Sequence, residues 1–337
     1  MTALRRLAIV ALLGLGICNP AGAATYHGYD SLHVLGDSLS DAGNVFRSTL
    51  GAVPESPPYW KGRFSSGPVW ADRVLNAFRR AGAQTGNHAW GGAKARTDFD
   101  GIPDLALQSL QYRRLDSDRR GDRPLLALFA GGNDILRGVG RPDIGTVGRR
   151  AADAVGDTAE SLARSGVRDF LFFYLPDLGR IPRNVRRGPE AVADATAGTL
   201  AFNHQLARRI GELRDEGLNV RRVNTYRFFN NLLADPERYG VSDTSTPCLG
   251  PDGSVCSPEE ARERVFFDSI HPNAVVHKRL AEIALSYIGL GPEPAVIPAA
   301  AVAARAGVAP VPLPAPALLL LAGLAGLGLV ARRRAAA

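Results

Sequence analysis

Cysteine is scarce in this chain, with three among 337 residues, and the spacing of the three excludes a zinc site. Cys18 lies in an apolar N-terminal stretch, whereas Cys248 and Cys256 lie close together in a loop rich in proline and glycine. No further cysteine or histidine accompanies the pair at ligand spacing. We expect a local disulfide between Cys248 and Cys256 in an exported protein, and two free thiols are the alternative.

Acidic residues are absent from both end segments, residues 1–23 and 313–337, which together hold five arginines. Without those five, 35 basic residues face 33 acidic ones, so the body of the chain carries about +2 and not the formal +7. A body this close to neutral does not indicate a nucleic-acid partner.

The first 23 residues have the form of a signal peptide. Two arginines precede an apolar run that ends at Ile17, and an Ala-Gly-Ala sequence predicts cleavage before Ala24. An uncleaved anchor is the alternative, which the shortness of the run disfavours. Lipidation of Cys18 is a further alternative, which the bulky Ile17 disfavours.

Apolar runs of strand length alternate with segments of helical period along the body of the chain. The predicted strands cover residues 31–35, 125–130, 170–174 and 220–223, and the predicted helices cover 69–82, 105–115, 147–165, 191–213 and 273–288. This alternation predicts an α/β fold with a parallel sheet. A hydrophobic fraction of 45% is enough for a sizeable core.

Two of the predicted strands end abruptly in glycine and polar side chains. Gly36-Asp37-Ser38 follows the first strand, and Gly131-Gly132-Asn133-Asp134 follows the second. Ligands bind beyond the carboxyl ends of strands in open α/β sheets, so both stretches are candidates for a binding or catalytic site. Capping of the next helix is the alternative role for these polar residues.

Asp268 and His271 stand three residues apart, just before the predicted helix over residues 273–288. This spacing lets a carboxylate and an imidazole meet within one tight turn, and Pro272 fixes the start of the helix. Because histidine titrates near working pH, it can accept and return a proton. Given the polar strand ends, we favour a catalytic role for His271 over a structural one.

Two loops have roles that the sequence leaves open. Gly91-Gly92 either lets the backbone approach a ligand with its N–H groups or forms a simple turn. The proline-rich residues 48–67 form a loop whose Tyr59, Trp60 and Phe64 either line a cleft or cover the edge of the core.

Four stretches, in this order, resemble the sequence blocks of the GDSL lipase/esterase family, within the SGNH hydrolases. They are Gly36-Asp37-Ser38-Leu39-Ser40-Asp41 with Gly43-Asn44, residues 87–93, Gly131-Gly132-Asn133-Asp134, and Asp268-Ser269-Ile270-His271-Pro272. Residues 62–70 resemble another stretch of that family, so the likeness covers roughly residues 30–290. The chain departs from the family pattern at Trp90, which is larger than the residue expected there and bears on the local shape of the acyl pocket.

The resemblance implies a flavodoxin-like, three-layer α/β/α sandwich with a central, mostly parallel sheet. It also implies that Ser38 is the nucleophile, His271 the general base and Asp268 the carboxylate that orients the histidine. The oxyanion hole would comprise the backbone N–H groups of Ser38 and Gly92 and the side chain of Asn133.

The resemblance further implies residues that support this site, namely Asp37, Asp41, Asn44 and Asp134. As an oxyanion donor, Gly91 is less favoured than Gly92. Nothing in the chain requires a metal or an organic cofactor. The sequence lacks a Gly-x-Ser-x-Gly nucleophile elbow, which disfavours the α/β-hydrolase fold.

Beyond a predicted hydrolase domain over residues 24–290, alanine and proline dominate residues 291–312 and predict a linker. Residues 313–337 comprise an apolar segment and, near its end, three arginines, Arg332 to Arg334. Together with Val311-Pro312-Leu313-Pro314-Ala315, this tail resembles VPLPA-type, PEP-CTERM-like sorting signals, which imply processing by an exosortase-type enzyme. A plain tail anchor is the alternative.

These features predict an exported serine esterase or lipase that hydrolyses carboxylic esters through an acyl-Ser38 intermediate. A signal peptidase would process it, and it would reside in the periplasm, on the outer surface or in the medium, with a transient C-terminal anchor in the inner membrane. Lipids, short-chain acyl esters and acylated polysaccharide all remain open as substrates. The alternatives are acyl transfer to a lipid or sugar hydroxyl, and binding of glycans or lipids without catalysis.

Overall fold

The computed structural model describes residues 25–289, which form a five-stranded sheet and eleven α-helices. The strands are β1 (Ser31–Gly36), β2 (Gln84–Asn87), β3 (Pro124–Phe129), β4 (Asp169–Phe173) and β5 (Asn219–Val223). The helices are α1 (Asn44–Ser48), α2 (Trp70–Arg80), α3 (Leu105–Arg113), α4 (Ser117–Arg120), α5 (Gly132–Gly138), α6 (Ile144–Arg164), α7 (Pro182–Arg186), α8 (Pro189–Asp215), α9 (Thr225–Ala234), α10 (Pro258–Glu263) and α11 (Ala274–Ile288).

The five strands run parallel in the order β2-β1-β3-β4-β5. Every residue of β1, β3 and β4 is buried, as expected for strands that helices cover on both faces. The strand order reverses between β1 and β3, and open α/β sheets bind their ligands beyond the carboxyl ends at such a point. Ser38 follows β1 and Asn133 follows β3, so both lie at this switch point.

Helices cover both faces of the sheet. Helices α2 and α11 pack against each other on one face, and α6 packs against α3 and α8 on the other. Right-handed crossovers between parallel strands produce this division, because the direction of travel across the sheet reverses after β2. The α/β/α sandwich predicted from the sequence is therefore confirmed.

An aromatic cluster fills the core below the carboxyl edge of the sheet. The ring centroids of Trp70 and Phe173 are 4.4 Å apart, and those of Phe129 and Phe173 are 4.9 Å apart. All three rings are buried, and each aromatic side chain of this kind removes roughly 150–250 Å² from water. The indole Nε1–H of Trp70 also donates to Ser40 Oγ at 3.1 Å, which anchors the turn after β1 to this core.

The sequence analysis missed one strand and several helices, and the strand and one of the helices bear on the site. Strand β2 lies at the edge of the sheet and has the polar sequence Gln84-Thr85-Gly86-Asn87. None of its residues is fully buried, so it lacks the apolar run by which the other strands were predicted. Helix α9 starts at Thr225, directly after β5, and buries four of its ten residues. Both elements border the candidate site described below.

Several predictions concern residues outside the described range 25–289. These are the signal peptide with Cys18 and its cleavage before Ala24, the linker over residues 291–312 and the sorting signal over residues 313–337. Within the range that the structure describes, no helix combines the length and the apolar character needed to cross a membrane.

Candidate active site

Ser38 lies two residues beyond β1, in a turn where the backbone has little room. A Cβ on Gly36 would collide with the carbonyl oxygen of Phe129 on β3, so only glycine fits there. Gln108 on α3 clamps the same residue, because its side chain accepts from Gly36 N–H at 2.8 Å and donates to Gly36 O at 2.9 Å. Gln108 lies in no motif, and the sequence analysis missed it. The end of β1 is thus held from two sides before the chain turns and presents Ser38.

The Ser38 hydroxyl faces the imidazole of His271, with 2.8 Å between Oγ and Nε2. The other ring nitrogen, Nδ1, lies 2.7 Å from Oδ2 of Asp268. Oδ1 of the same carboxylate accepts the backbone N–H groups of Ile270 and His271, both at 2.7 Å, and so closes the turn. The structure therefore brings the three residues together in a Ser–His–Asp arrangement.

Asp268 remains ionised although it is buried. Burial alone would raise the pKa of its carboxyl group, but the charge of His271 and the hydrogen bonds that it accepts hold this pKa well below its usual range. The Tyr59 hydroxyl donates one of these bonds, at 2.7 Å from Oδ2. Burial also opposes protonation of His271, yet the ionised Asp268 outweighs this effect and raises the His271 pKa. The ring is accordingly a stronger base than a free imidazole.

The proline-rich loop before α2 reaches the site through two aromatic rings. Tyr59 contributes its hydroxyl, and the ring of Phe64 lies 5.3 Å from the imidazole of His271, centroid to centroid. A Cβ on Gly91 would collide with the Phe64 ring, so the loop also packs against the glycine pair. Of the two roles left open by the sequence, Tyr59 and Phe64 line the site, whereas Trp60 packs against cationic neighbours.

Two backbone N–H groups near Ser38 are available to a ligand. In the described part of the chain, the N–H groups of Ser38 and Gly92 have no acceptor. Gly92 has φ of +84°, a conformation that strains any residue with a side chain, and a Cβ there would also meet Ile102 Cδ1 at 2.9 Å. The Gly91 N–H instead donates to Asp41 Oδ2 at 2.9 Å. The expected preference for Gly92 over Gly91 therefore has a physical basis.

Asn133 lies in the first turn of α5, immediately beyond β3, and is partly exposed. Its side-chain Nδ2 donates to the carbonyl oxygen of Ala93 at 2.8 Å. A carboxamide nitrogen carries two hydrogens, so the second is free for a ligand. Because Ala93 follows Gly92, this bond also ties together the two loops that carry the candidate oxyanion donors.

Asp41 and Asn44 join the turn after β1 to the glycine loop. Asp41 Oδ1 accepts the N–H groups of Gly43 and Asn44 at 2.7 and 2.5 Å, and Oδ2 accepts the N–H of Gly91. The Asn44 amide donates to the carbonyl oxygen of Ala89 at 2.8 Å. These contacts explain why the two motifs occur together, since one positions the backbone of the other.

Asp37 and Asp134 are buried carboxyl groups whose pKa values are raised. Burial raises the pKa of Asp37 to about 7, although the carboxylate accepts the Leu39 N–H at 3.0 Å. Burial likewise raises the pKa of Asp134 to about 6, although it accepts the Ala95 N–H at 2.8 Å. Asp134 thereby fixes the segment that follows Gly92, and Asp37 lies directly beside the nucleophile in sequence.

Among residues 25–289, one group of acidic side chains could hold a metal ion, namely Asp98, Asp100 and Asp104. The ammonium of Lys94 already lies among them, at 2.9, 2.6 and 3.7 Å from the three carboxylates. Lys94 therefore supplies the positive charge that these acids need, and it closes the loop that follows Gly92.

The predicted disulfide joins Cys248 and Cys256 in the loop between α9 and α10. The Cys248 N–H donates to the carbonyl oxygen of Phe266 at 3.1 Å, two residues before Asp268. The disulfide loop thus lies alongside the segment that leads into the Asp268 turn.

Comparison with known proteins agrees with this geometry. Residues 32–284 match the family model described as GDSL-like Lipase/Acylhydrolase. The chain is 29% identical over 331 residues to a phosphatidylcholine-sterol acyltransferase of Aeromonas hydrophila, covering 83% of this chain and 96% of that protein. It is 25% identical over 343 residues to the esterase EstA of Pseudomonas aeruginosa, covering 86% of this chain and 51% of that protein. A solved acetylxylan esterase of Geobacillus stearothermophilus has 16% identity and a TM-score of 0.44, covering 78% of this chain and 95% of the other, which is too distant to carry any argument about activity.

Proposed function

The chain belongs to the GDSL-like lipase/acylhydrolase family of carboxylic-ester hydrolases, and we propose that it cleaves its ester through an acyl intermediate on Ser38. One observation carries this proposal, namely the series of contacts from Ser38 Oγ to His271 Nε2 at 2.8 Å and from His271 Nδ1 to Asp268 Oδ2 at 2.7 Å. A serine hydroxyl is a poor nucleophile until a neighbouring base takes its proton, and this series supplies and orients that base.

In the proposed reaction, Ser38 Oγ attacks the carbonyl carbon of the ester while its proton passes to His271 Nε2. The negative charge that develops on the carbonyl oxygen is bound by the N–H groups of Ser38 and Gly92 and by the Asn133 amide. The bond to the alcohol then breaks, and the alcohol leaves with the proton from His271. Water adds to the acyl group with His271 again acting as the base, which releases the carboxylic acid and restores Ser38.

Replacing the nucleophile tests the proposal most directly. Ser38→Ala should lower kcat on p-nitrophenyl esters, from acetyl to palmitoyl, by a factor on the order of 10⁵ or more. Ser109→Ala is the matched control, because Ser109 is a buried serine on α3 whose hydroxyl donates to Ala106 O. The control should keep the wild-type rate. Turnover by a folded Ser38→Ala protein at the wild-type rate would remove Ser38 from the mechanism.

Acyl transfer is a second candidate function, and the likeness to a protein named as an acyltransferase, over 96% of its length, favours it. Both reactions pass through acyl-Ser38 and differ in whether water or an alcohol takes the acyl group. Product analysis with an added sterol or sugar alcohol separates them. A new ester of the added alcohol would indicate transfer, and free acid alone would indicate hydrolysis.

We also propose that the protein is exported, with residues 1–23 as a cleaved signal peptide and residues 313–337 as a sorting signal. Residues 24–290 would then be the hydrolase domain and residues 291–312 the linker. The Cys248–Cys256 disulfide supports export, because such bonds persist in oxidising compartments. Mass spectrometry of the protein isolated from its own cells should find an N-terminus at Ala24 and no C-terminal arginines. An intact chain would contradict both assignments.

A further inference from the structure

A cavity of about 70 Å³ is lined by Ser38 and His271 and by residues near the carboxyl edge of the sheet. Its wall is mostly apolar and includes Leu178, Ile181, Phe228, Phe266 and Leu280. Ser38 follows β1, and Thr225, which also lines the cavity, follows β5. These strands are three places apart in the sheet, which separates them by about 14 Å. This apolar lining beside the candidate nucleophile suits an acyl chain attached to Ser38.

His277 on α11 lines this cavity and is fully buried. Its Nδ1 accepts the backbone N–H of Trp70 at 3.3 Å, so this nitrogen carries no proton. Burial lowers the pKa of His277 to about 3, and the ring is therefore neutral at working pH. The proton of the neutral ring must then lie on Nε2, which has no acceptor in the described part of the chain. His277 thus offers one unused hydrogen-bond donor.

Thr225 at the start of α9 is the second polar residue of interest in the wall. It is buried, and its Oγ1 also has no partner among the described residues. An unpaired buried polar atom destabilises the folded state, and native proteins rarely leave one without a partner. The residues that line the cavity therefore include two whose polar atoms have no hydrogen-bond partner among the described residues.

We propose that this cavity is the acyl-chain site and that His277 Nε2 and Thr225 Oγ1 bind an oxygen atom carried on the chain. The preferred substrates are then esters of hydroxy- or oxo-substituted acyl chains rather than of plain fatty acids. This inference rests on the proposed function, because the chain enters the cavity as the acyl group on Ser38. A ligand oxygen can accept from the imidazole N–H and both accept from and donate to the threonine hydroxyl.

The test compares matched substrates in the full-length protein. The kcat/KM for p-nitrophenyl decanoate is measured beside that for decanoate esters with a hydroxyl near the carbonyl, in mid-chain and at the terminus. The wild type should prefer one hydroxylated isomer over the plain ester by roughly three- to tenfold, the effect of one hydrogen bond. Equal kcat/KM values for all four esters would overturn the proposal and would leave ordered water as the partner of the two polar atoms.

Two variants assign the preference to these residues. Thr225→Val removes the hydroxyl, and His277→Asn keeps an oxygen that can accept the Trp70 N–H while removing the Nε2 donor. Each should abolish most of the preference. Thr158→Val is the matched control, because Thr158 is a buried threonine on α6 whose hydroxyl donates to Ala154 O. A preference that survives in both cavity variants would also overturn the proposal, and Thr225→Val alone decides the matter if His277→Asn does not fold.

The acetyl ester separates this inference from the proposed function. An acetyl group on Ser38 is too short to reach Thr225, so its turnover reports the chemistry at Ser38 alone. If the wild type hydrolyses the acetyl ester but shows no preference among the decanoates, only the cavity assignment fails. If it hydrolyses neither, the proposed function fails.

Discussion

The turn after β1 and the turn before α11 each place a buried carboxylate beside a reacting group, and the two carboxylates differ in charge. Asp268 accepts hydrogen bonds on both oxygens, from backbone N–H groups, His271 and Tyr59, and its pKa lies below the usual range. Asp37 accepts the Leu39 N–H, and burial raises its pKa to about 7. Both side chains are buried, yet their pKa values shift in opposite directions, because the surrounding donors decide whether the charged form is stabilised.

This difference suits the reaction proposed at Ser38. An ionised Asp268 holds the His271 proton on Nδ1 and stabilises the imidazolium that forms. A second full charge on Asp37, next to the nucleophile, would oppose the negative charge that develops on the substrate carbonyl oxygen. A carboxyl group with a pKa near 7 carries only part of that charge at neutral pH.

Of the changes that bear on the two carboxylates, removing the charge of Asp268 should have the largest effect on the rate. In Asp268→Asn, the side-chain amide can donate to Nδ1, which would place the ring proton on Nε2 and prevent it from accepting the Ser38 proton. We expect kcat to fall by about 10⁴. Asp30→Asn is the control, because Asp30 is buried at the opposite end of the sheet and accepts the N–H groups of Asp122 and Arg123. A loss of less than tenfold in Asp268→Asn would contradict the orienting role.

Removing the ionisable group of Asp37 should affect stability more than chemistry. Its pKa is about 7 in the folded state and about 3.9 in an unfolded chain, so the folded state binds the proton more tightly. The contribution of Asp37 to wild-type stability should therefore fall as the pH rises from about 4 to about 7. Asp37→Asn keeps an acceptor for the Leu39 N–H but cannot ionise. Urea denaturation should show a gain on the order of 1 kcal/mol or more at pH 8 that shrinks towards pH 4. An equal change at both pH values would assign another cause.

How far the sequence predicts this molecule depends on how local each feature is. Asp268 and His271 meet within one turn, and the buried strands are mostly apolar, so both features are visible in short segments. Strand β2 is polar and pairs at the edge of the sheet, which gives it no such signal. The contact between Tyr59 and Asp268 joins residues 209 positions apart. Such a contact depends on how the loop before α2 packs in the folded protein, and no local sequence pattern predicts it.

Tyr59 allows one donor to be tested by itself, because it donates to Asp268 and Asp37 has no such partner among residues 25–289. Burial and the neighbouring Asp268 raise the pKa of the Tyr59 phenol, so it donates at all working pH values. Without this bond, in Tyr59→Phe, the Asp268 carboxylate should attract the imidazolium more strongly and raise the His271 pKa further.

Because His271 must be neutral to act as a base, the acid limb of the kcat/KM profile should move to higher pH in Tyr59→Phe, by up to about one pH unit. The rate on the alkaline plateau should change only a few-fold. Phenylalanine keeps the ring contact with Phe267, now 5.0 Å between centroids. Tyr112→Phe, which alters a buried tyrosine packed against His33, is the control and should leave the limb in place. An acid limb that stays at the wild-type pH in Tyr59→Phe would contradict this role of Tyr59. Tyr59 would then contribute packing alone, and the lowered Asp268 pKa would depend on His271 and the backbone N–H groups.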